Sequence, residues 1–249
     1  AGLDFVRSFC TIVENQGKRV TEHLHMVQPA LIKSSYKYVF VLLDDCKIES
    51  SAAFSLDGMI AVMERNKLTA ASPRIINANK GGGQQFRTIM QAPPPHGGAS
   101  PGYVVSFIEI FGVIMTMEGY TALWELLCPA VNPYGWGYDF WYDHYARGRV
   151  RGHKMGIISA FSLKHEQVMD DVSVTGRSDN VKVEDKWQAL VLQERYYQHH
   201  YGIRLHKFRE TLSLRNMSWN GAVTGFLEPA RGQHQHQLPK RPLEFLDNT

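Results

Sequence analysis

The chain has 249 residues, of which 44% are hydrophobic and 20% are charged, as in ordinary globular proteins. This length allows one domain, or one domain with an appendage. The net charge of +3 is too small to predict a nucleic-acid partner. No run approaches 18 consecutive apolar residues, which excludes a transmembrane helix within this chain.

Helices and strands alternate in the hydrophobic pattern, which predicts an α/β protein. In chain order we predict helix 3–14, a short helix within 24–36 with Pro29 in its first turn, strand 38–43, helix 53–66 capped by Ser50 or Ser51, strand 69–76, a loop over 79–102, two strands within 103–117, helix 119–128, helix 140–146, strand 155–163 and helix 184–200. Of the last helix we expect Trp187, Leu190, Val191 and Tyr197 to face inward.

The strand over 38–43 leads directly into two carboxylates. Its unbroken apolar run predicts a strand buried on both faces. Asp44 and Asp45 then lie where the strand ends, and ligands of open α/β sheets collect at the carboxyl ends of strands. Two carboxylates there suit a divalent cation and, through it, a diphosphate. The alternative is a simple turn, since Asp is a common turn residue.

Three further polar positions lie in or next to apolar segments. Glu109 lies within an apolar run, where a carboxylate is costly unless it is paired. Asp139 follows an aromatic loop with two glycines, and its alternative role is to cap the helix over 140–146. His165 follows a strand, where a histidine is more often structural than functional. Together, oxygen donors and one imidazole favour Mn²⁺ or Mg²⁺ over a structural zinc site.

Four segments in the same order resemble the domain-of-unknown-function 707 family, which is common in plants. The first segment is residues 28–45, in which Gln28-Pro29-Ala30-Leu31-Ile32 precedes the strand and its two aspartates, and the second is Phe107-Ile108-Glu109. The third is Gly135-Trp136-Gly137-Tyr138-Asp139, which resembles that family's Gly-Trp-Gly-x-Asp. The fourth is the run from Met155 to His165, which resembles its Val-Gly-Val-Val run that ends in Val-His. The resemblance covers about residues 28–195.

That family is similar to GT-A glycosyltransferases, so the resemblance implies a Rossmann-like mixed sheet flanked by helices. It implies a nucleotide-sugar donor, held through Mn²⁺ or Mg²⁺, and a glycan or other acceptor. We therefore predict a GT-A-like α/β domain over residues 1–199 and a partly irregular C-terminal extension over 200–249. The resemblance, with a single glycosylation sequon at Asn216, suggests the Golgi or secretory lumen.

The resemblance also implies a role for each polar position. Asp139 is the candidate general base, a role that contributes about 10²–10⁴-fold to a rate. Metal binding is implied for Asp45 and His165. Substrate binding is implied for Trp136, with an apolar face for a sugar ring, and for Glu109 and Asp44.

The sequence departs from the family pattern in three places. Cys46 stands at the usual acid position of the Asp-x-Asp motif, and its thiol suits Mg²⁺ or Mn²⁺ poorly. Ser159 stands where the resembling sequences tend to carry Asp. Residues 1–27 resemble no nucleotide-binding strand, so that strand is either missing or supplied from before Ala1.

Three functions remain open from the sequence. The first is a metal-assisted glycosyltransferase with Asp139 as base. The second is a non-catalytic glycosyltransferase-like domain that binds carbohydrate or a partner, since the acid at position 46 is lost. The third is another α/β enzyme, such as a metal-dependent hydrolase, that uses the same carboxylates.

Overall fold

The computed structural model describes residues 19–43, 46–77, 93–95, 100–110, 112–135, 137–165, 183–202 and 223–228. The helices of this part of the chain are α1 (Val20–Met26), α2 (Pro29–Ile32), α3 (Leu56–Asn66), α4 (Met117–Leu126), α5 (Tyr138–Arg149) and α6 (Val183–Tyr201). The strands are β1 (Tyr38–Leu42), β2 (Cys46–Lys47), β3 (Ala70–Asn77), β4 (Tyr103–Val105), β5 (Gly112–Thr116), β6 (Met155–His165) and β7 (Val223–Phe226). The predicted mixed α/β class is confirmed. None of these helices is long and apolar enough to span a membrane.

All seven strands form one mixed sheet with the order β1-β5-β3-β6-β4-β7, and β2 pairs with the far end of β6. β3 and β6 run parallel at the centre, whereas β1–β5, β3–β5, β4–β6 and β4–β7 are antiparallel. The carboxyl ends of the two central strands therefore meet, with Asn77 paired to His165. This is the edge of an open sheet at which ligands commonly bind.

The expectation that the strand after residue 37 is buried on both faces is wrong. β1 lies at one edge of the sheet and pairs with β5 alone among the described strands. Only Val41 is buried, and Leu42 is 40% exposed. The apolar run reflects large side chains on an edge strand rather than a central position, a distinction that periodicity cannot make.

Pro73 occupies a central strand, where its missing N–H would leave a carbonyl of β5 without a donor. The hydroxyl of Ser72 fills this role and donates to the Gly112 carbonyl at 2.9 Å. Directly after Pro73 the pairing of β3 with β6 shifts by three residues, so that Arg74 lies opposite Ser162. Ser159 is buried within this bulge of β6.

The core lies between the sheet and its helices. α3 packs against β3 and β6, α4 packs against β1 and β5, and α5 packs against α4. The largest fully buried side chains are aromatic or long aliphatic, and they include Trp141, Tyr120, Tyr138, Tyr142 and Tyr197. The buried phenol groups form hydrogen bonds; the Tyr142 hydroxyl, for example, donates to the Gly119 carbonyl at 3.0 Å. Such a bond offsets the free-energy cost of removing a hydroxyl group from water.

The short helix predicted within 24–36 is confirmed as α2, with Pro29 in its first turn as expected and Gln28 extended before it (ψ 130°). Other predictions shift for local reasons. α3 is capped by Ser55, whose Oγ accepts from the Gly58 N–H at 3.1 Å, and not by Ser50 or Ser51. In α6, Leu190 and Tyr197 are buried as expected, but Val191 is 43% exposed.

The C-terminal extension contributes to the sheet in the part that is described. Residues 223–226 form β7 and pair with β4, and the buried Leu227 lies beyond them. Asn66 of α3 fixes the same segment, since its amide donates to the Glu228 carbonyl at 2.7 Å. The helix predicted over 3–14 and most of the loop predicted over 79–102 lie outside the described residues.

Candidate functional site: a carboxyl pair at the start of α5

The loop over 132–137 fixes the start of α5 through two glycines. Gly135 and Gly137 have φ values of +78° and +95°, a conformation that L side chains rarely adopt. Gly137 is the N-cap of α5, and a Cβ atom there would collide with Leu190 of α6. A Cβ atom at Gly135 would lie 2.8 Å from Val20 of α1. Both glycines are therefore required by backbone shape and by close packing.

Elements on two sides hold this loop. From α1, the Thr21 N–H donates to the Pro133 carbonyl at 3.2 Å. From α6, the Gln193 side chain accepts from the Asn132 amide at 2.7 Å, and both side chains are buried. The Asn132 Oδ1 also accepts from the Tyr134 N–H at 3.1 Å. The loop that leads into α5 is thus fixed from α1, from α6 and from within.

Asp139 lies at the second position of α5, where the exposed N–H groups of the first helical turn favour a negative charge. Its Oδ1 accepts from the Phe140 N–H at 3.1 Å. Burial nevertheless raises the pKa of Asp139 to about 7, and hydrogen bonds from the backbone of residues 137, 139 and 140 offset only part of that rise. Since the side chain keeps some contact with solvent, its carboxyl group can exchange protons near neutral pH.

Glu109 lies on the segment that connects β4 to β5, close enough to Asp139 for the two charges to interact. Its pKa is raised to about 8, first by burial and then by the negative charge of Asp139. Since Asp139 ionises at the lower pH, its charge opposes the later ionisation of Glu109. The neighbouring rings of Phe107 and Phe140 lie 5.5 Å apart and join the two segments. The structure therefore brings together two carboxyl groups that are 30 residues apart in the sequence, of which one is mostly neutral at pH 7.

Beyond its first turn, α5 is held by a network of three polar side chains. The Thr69 hydroxyl lies 2.7 Å from Nδ1 of His153, whose Nε2 lies 3.4 Å from Oδ1 of Asp143. Burial tends to raise the pKa of Asp143, but hydrogen bonds from His153 and Arg147 outweigh it and lower the pKa. The His153 side chain is fully buried, so a substrate cannot reach the imidazole of this network. The network ties α5 to the starts of β3 and β6, next to which Thr69 and His153 lie.

Cys46 and His165 also come together, at the carboxyl end of β6. They are direct partners across β2 and β6, so their side chains lie on the same face of the sheet, and both are buried. The thiol is a soft donor and the imidazole a borderline one, so without oxygen ligands this pair suits Mn²⁺ or Mg²⁺ poorly. The described part of the chain holds no group of three or more His, Cys, Asp or Glu side chains able to bind a metal.

Asp44, Asp45 and Trp136 lie outside the described residues, so their predicted roles stay predictions. The pairing of Glu109 with Asp139 could not be seen in the sequence, because it depends on a tertiary contact. The only sequence signal was a carboxylate embedded in an apolar run, which requires a partner. The network of Thr69, His153 and Asp143 had no local signal.

Comparison with known proteins gives no independent guide to the site. The sequence matches no family model, no curated protein and no solved structure.

Proposed function

We propose that this protein is a glycosyltransferase in which Asp139 is the general base for an acceptor hydroxyl. The observation that carries the proposal is that Glu109 and Asp139 interact electrostatically next to the start of α5, where burial raises both pKa values, to about 8 and about 7. Two titratable groups whose environments separate their protonation states are typical of acid–base sites. The resemblance of four ordered segments to GT-A-like sequences favours glycosyl transfer among acid–base reactions.

The two carboxyl groups suit different tasks. Asp139 is about half ionised at pH 7 and is the stronger candidate to accept a proton. Glu109 is mostly protonated at that pH and can donate a hydrogen bond to an acceptor hydroxyl or to Asp139. In the reaction, the acceptor hydroxyl gives its proton to Asp139 while its oxygen bonds to the anomeric carbon of the donor. The bond from that carbon to the donor phosphate oxygen breaks, and the nucleoside diphosphate leaves with the electron pair.

The donor side of the proposal rests on the family resemblance. Asp44 at the ribose or metal, Asp45 and His165 as metal ligands and Trp136 against a sugar ring follow from the resemblance alone. Because the donors that β2 and β6 bring together are a thiol and an imidazole, we assign no step of the reaction to Mn²⁺ or Mg²⁺.

A second candidate function is a non-catalytic domain that binds carbohydrate or a partner. The burial of Cys46 in β2, directly opposite His165, favours it, because position 46 then offers no hard oxygen ligand to a metal–diphosphate complex. This candidate does not explain why two carboxyl groups are buried together at a cost in stability. We therefore rank it second.

Thermal unfolding with a panel of nucleoside diphosphates, with and without Mn²⁺, separates the two candidates. A ligand that binds only the folded protein stabilises it by RT ln(1 + [L]/Kd), which is about 2.7 kcal/mol at a hundredfold excess over Kd. A shift with one nucleotide supports donor binding, and a shift that needs Mn²⁺ supports the metal ligands as well. If every nucleotide leaves the unfolding temperature unchanged, the glycosyltransferase proposal fails for this chain.

Once a donor is identified, Asp139→Asn tests the base directly. We expect transfer to fall by about 10²–10⁴-fold, because the amide cannot accept the proton. Asp57→Asn is the matched control, since Asp57 occupies the same second position of helix α3 but is exposed. Equal turnover in Asp139→Asn and wild type would remove Asp139 as the base.

A further inference from the structure

One edge of the sheet ends in a strand whose outer backbone groups have no partner among the described residues. β1 pairs with β5 alone. The Met117 N–H donates to the Lys37 carbonyl at 3.0 Å, which identifies residues 37 and 117 as a hydrogen-bonded pair of the antiparallel ladder. Because bonded and non-bonded pairs alternate, Val39 and Val41 direct their N–H and C=O groups toward β5.

The intervening residues Tyr38, Phe40 and Leu42 direct their N–H and C=O groups away from the sheet. The pairing of β3 with β5 supports this alternation, since the Thr116 N–H donates to the Thr69 carbonyl at 2.9 Å and residue 116 therefore faces the other side. Three donors and three acceptors thus lie along an open edge, spaced as in a sheet that continues.

This edge lacks the features that usually prevent pairing. Natural edge strands are interrupted by Pro, by inward-pointing charges or by a bulge. β1 is Tyr-Val-Phe-Val-Leu, and its register with β5 is unbroken over all five residues. Tyr38 donates to Glu64 at 3.2 Å and the ring of Phe40 stacks on Phe54 at 5.6 Å, so these large side chains lie on the α3 side of the sheet.

We propose that two copies of this chain pair through β1 and form one continuous antiparallel sheet. The register that uses all outward groups centres a twofold axis on Phe40, which then lies opposite Phe40 of the partner subunit. Tyr38 lies opposite Leu42 of the partner subunit, and six backbone hydrogen bonds form. Because both copies use the same strand, the contact closes as a dimer and does not propagate.

The side chains and the charge next to the strand favour this register. The twofold axis is perpendicular to the sheet, so the α3 layers of both copies lie on the same face and the two Phe40 rings become cross-strand neighbours. Lys37 directly precedes β1. Antiparallel pairing places the two Lys37 side chains at opposite ends of the contact, whereas parallel pairing would bring these like charges together.

Sedimentation velocity over a wide range of protein concentration tests the dimer. We expect wild type to pass from monomer to dimer as concentration rises, and Leu42→Lys to raise the dissociation constant by at least about tenfold, because a charge on an edge strand opposes pairing. Val191→Lys is the matched control, since Val191 on α6 is 43% exposed and Leu42 is 40% exposed. A monomeric wild type, or equal effects of the two lysines, would overturn the proposal.

A cysteine trap gives a second reading that does not depend on the lysine variants folding equally well. Hydrogen-bonded antiparallel partners have Cα atoms about 5.5 Å apart, within the range that a disulfide can bridge. Phe40→Cys should therefore form a covalent dimer under mild oxidation. Leu31→Cys controls for random collisions, since Leu31 is 72% exposed. If Phe40→Cys cross-links no faster than Leu31→Cys, the β1 contact does not form.

Discussion

Replacing Asp139 by Asn should remove a loss of stability that burial of this carboxyl group causes as the pH rises from acidic to neutral. The asparagine has the shape of the protonated aspartic acid but carries no charge at any pH. In wild type, the pKa of Asp139 rises from 3.8 to about 7 on folding, so the folded protein binds the proton more tightly than the unfolded chain does. Stability is therefore greatest below the unfolded pKa and falls as pH rises from about 4 through about 7.

The size of this loss follows from the change in pKa. A rise of about three pH units corresponds to about 4 kcal/mol at 1.36 kcal/mol per unit. Water entry and relaxation around the ionised group reduce that figure, so we expect a loss of about 2–4 kcal/mol between pH 4 and pH 8. Glu109 extends the loss of stability to higher pH, because its pKa rises from 4.5 to about 8 on folding. In Asp139→Asn the first loss disappears, and the pKa of Glu109 falls because the neighbouring charge is gone.

Urea unfolding followed by tryptophan fluorescence at several pH values between 4 and 9 measures this directly. Wild type and Asp139→Asn should be similar in stability at pH 4, and the variant should be more stable by about 2–4 kcal/mol at pH 8. Asp57→Asn, at the same position of helix α3 and exposed, should leave the wild-type pH dependence unchanged. If Asp139→Asn has the same slope with pH as wild type, the carboxyl group is not buried as described.

Three further substitutions test the elements that support the site. Gly137→Ala should destabilise the protein by more than about 1–2 kcal/mol, because the φ of Gly137 is positive and no space exists for a Cβ atom. Gly148→Ala is the control, since a Cβ atom there enters open space within α5, and it should stabilise the protein by about 0.5–1 kcal/mol. Urea unfolding measures both changes in stability. Ser72→Ala should cost about 1–3 kcal/mol in the same assay, since a buried carbonyl loses its donor. His153→Gln should raise the pKa of Asp143, and NMR titration of that carboxyl group checks it; an unchanged pKa would show that the imidazole does not stabilise the carboxylate.

Local patterns predicted most of the elements but not their places in the sheet. The strand after residue 37 and the long helix that ends near residue 200 were identified by periodicity, and both exist. The position of β1 at the edge was missed, because an apolar run is compatible with a central parallel strand and with an edge strand whose side chains are large. Val191 was assigned to the wrong face, since helical spacing leaves a residue at the border of an apolar stripe undetermined.

The candidate site was predictable only in part, and the reason is tertiary. The glycines around position 136 and the aspartate after them formed a local pattern, which identified the loop and Asp139. The partner Glu109 was singled out as an embedded carboxylate, but nothing within the sequence joined it to Asp139. That contact depends on how the connection from β4 to β5 passes the start of α5, which no local spacing determines. The roles assigned to Asp44, Asp45 and Trp136 stay predictions.

The cost of the carboxyl pair is itself an argument for function. At pH 8, amides in place of Glu109 and Asp139 would keep the shape of both side chains and avoid the penalty of ionising a buried group. The chain instead keeps two groups that oppose each other's charge, and holds the helix carrying one of them through the loop over 132–137 and the contacts of α1 and α6. A fold selected for stability alone gains nothing from this arrangement. A site in which carboxyl groups exchange protons near neutral pH is served by it, because a carboxyl group changes its charge there only when its pKa is raised.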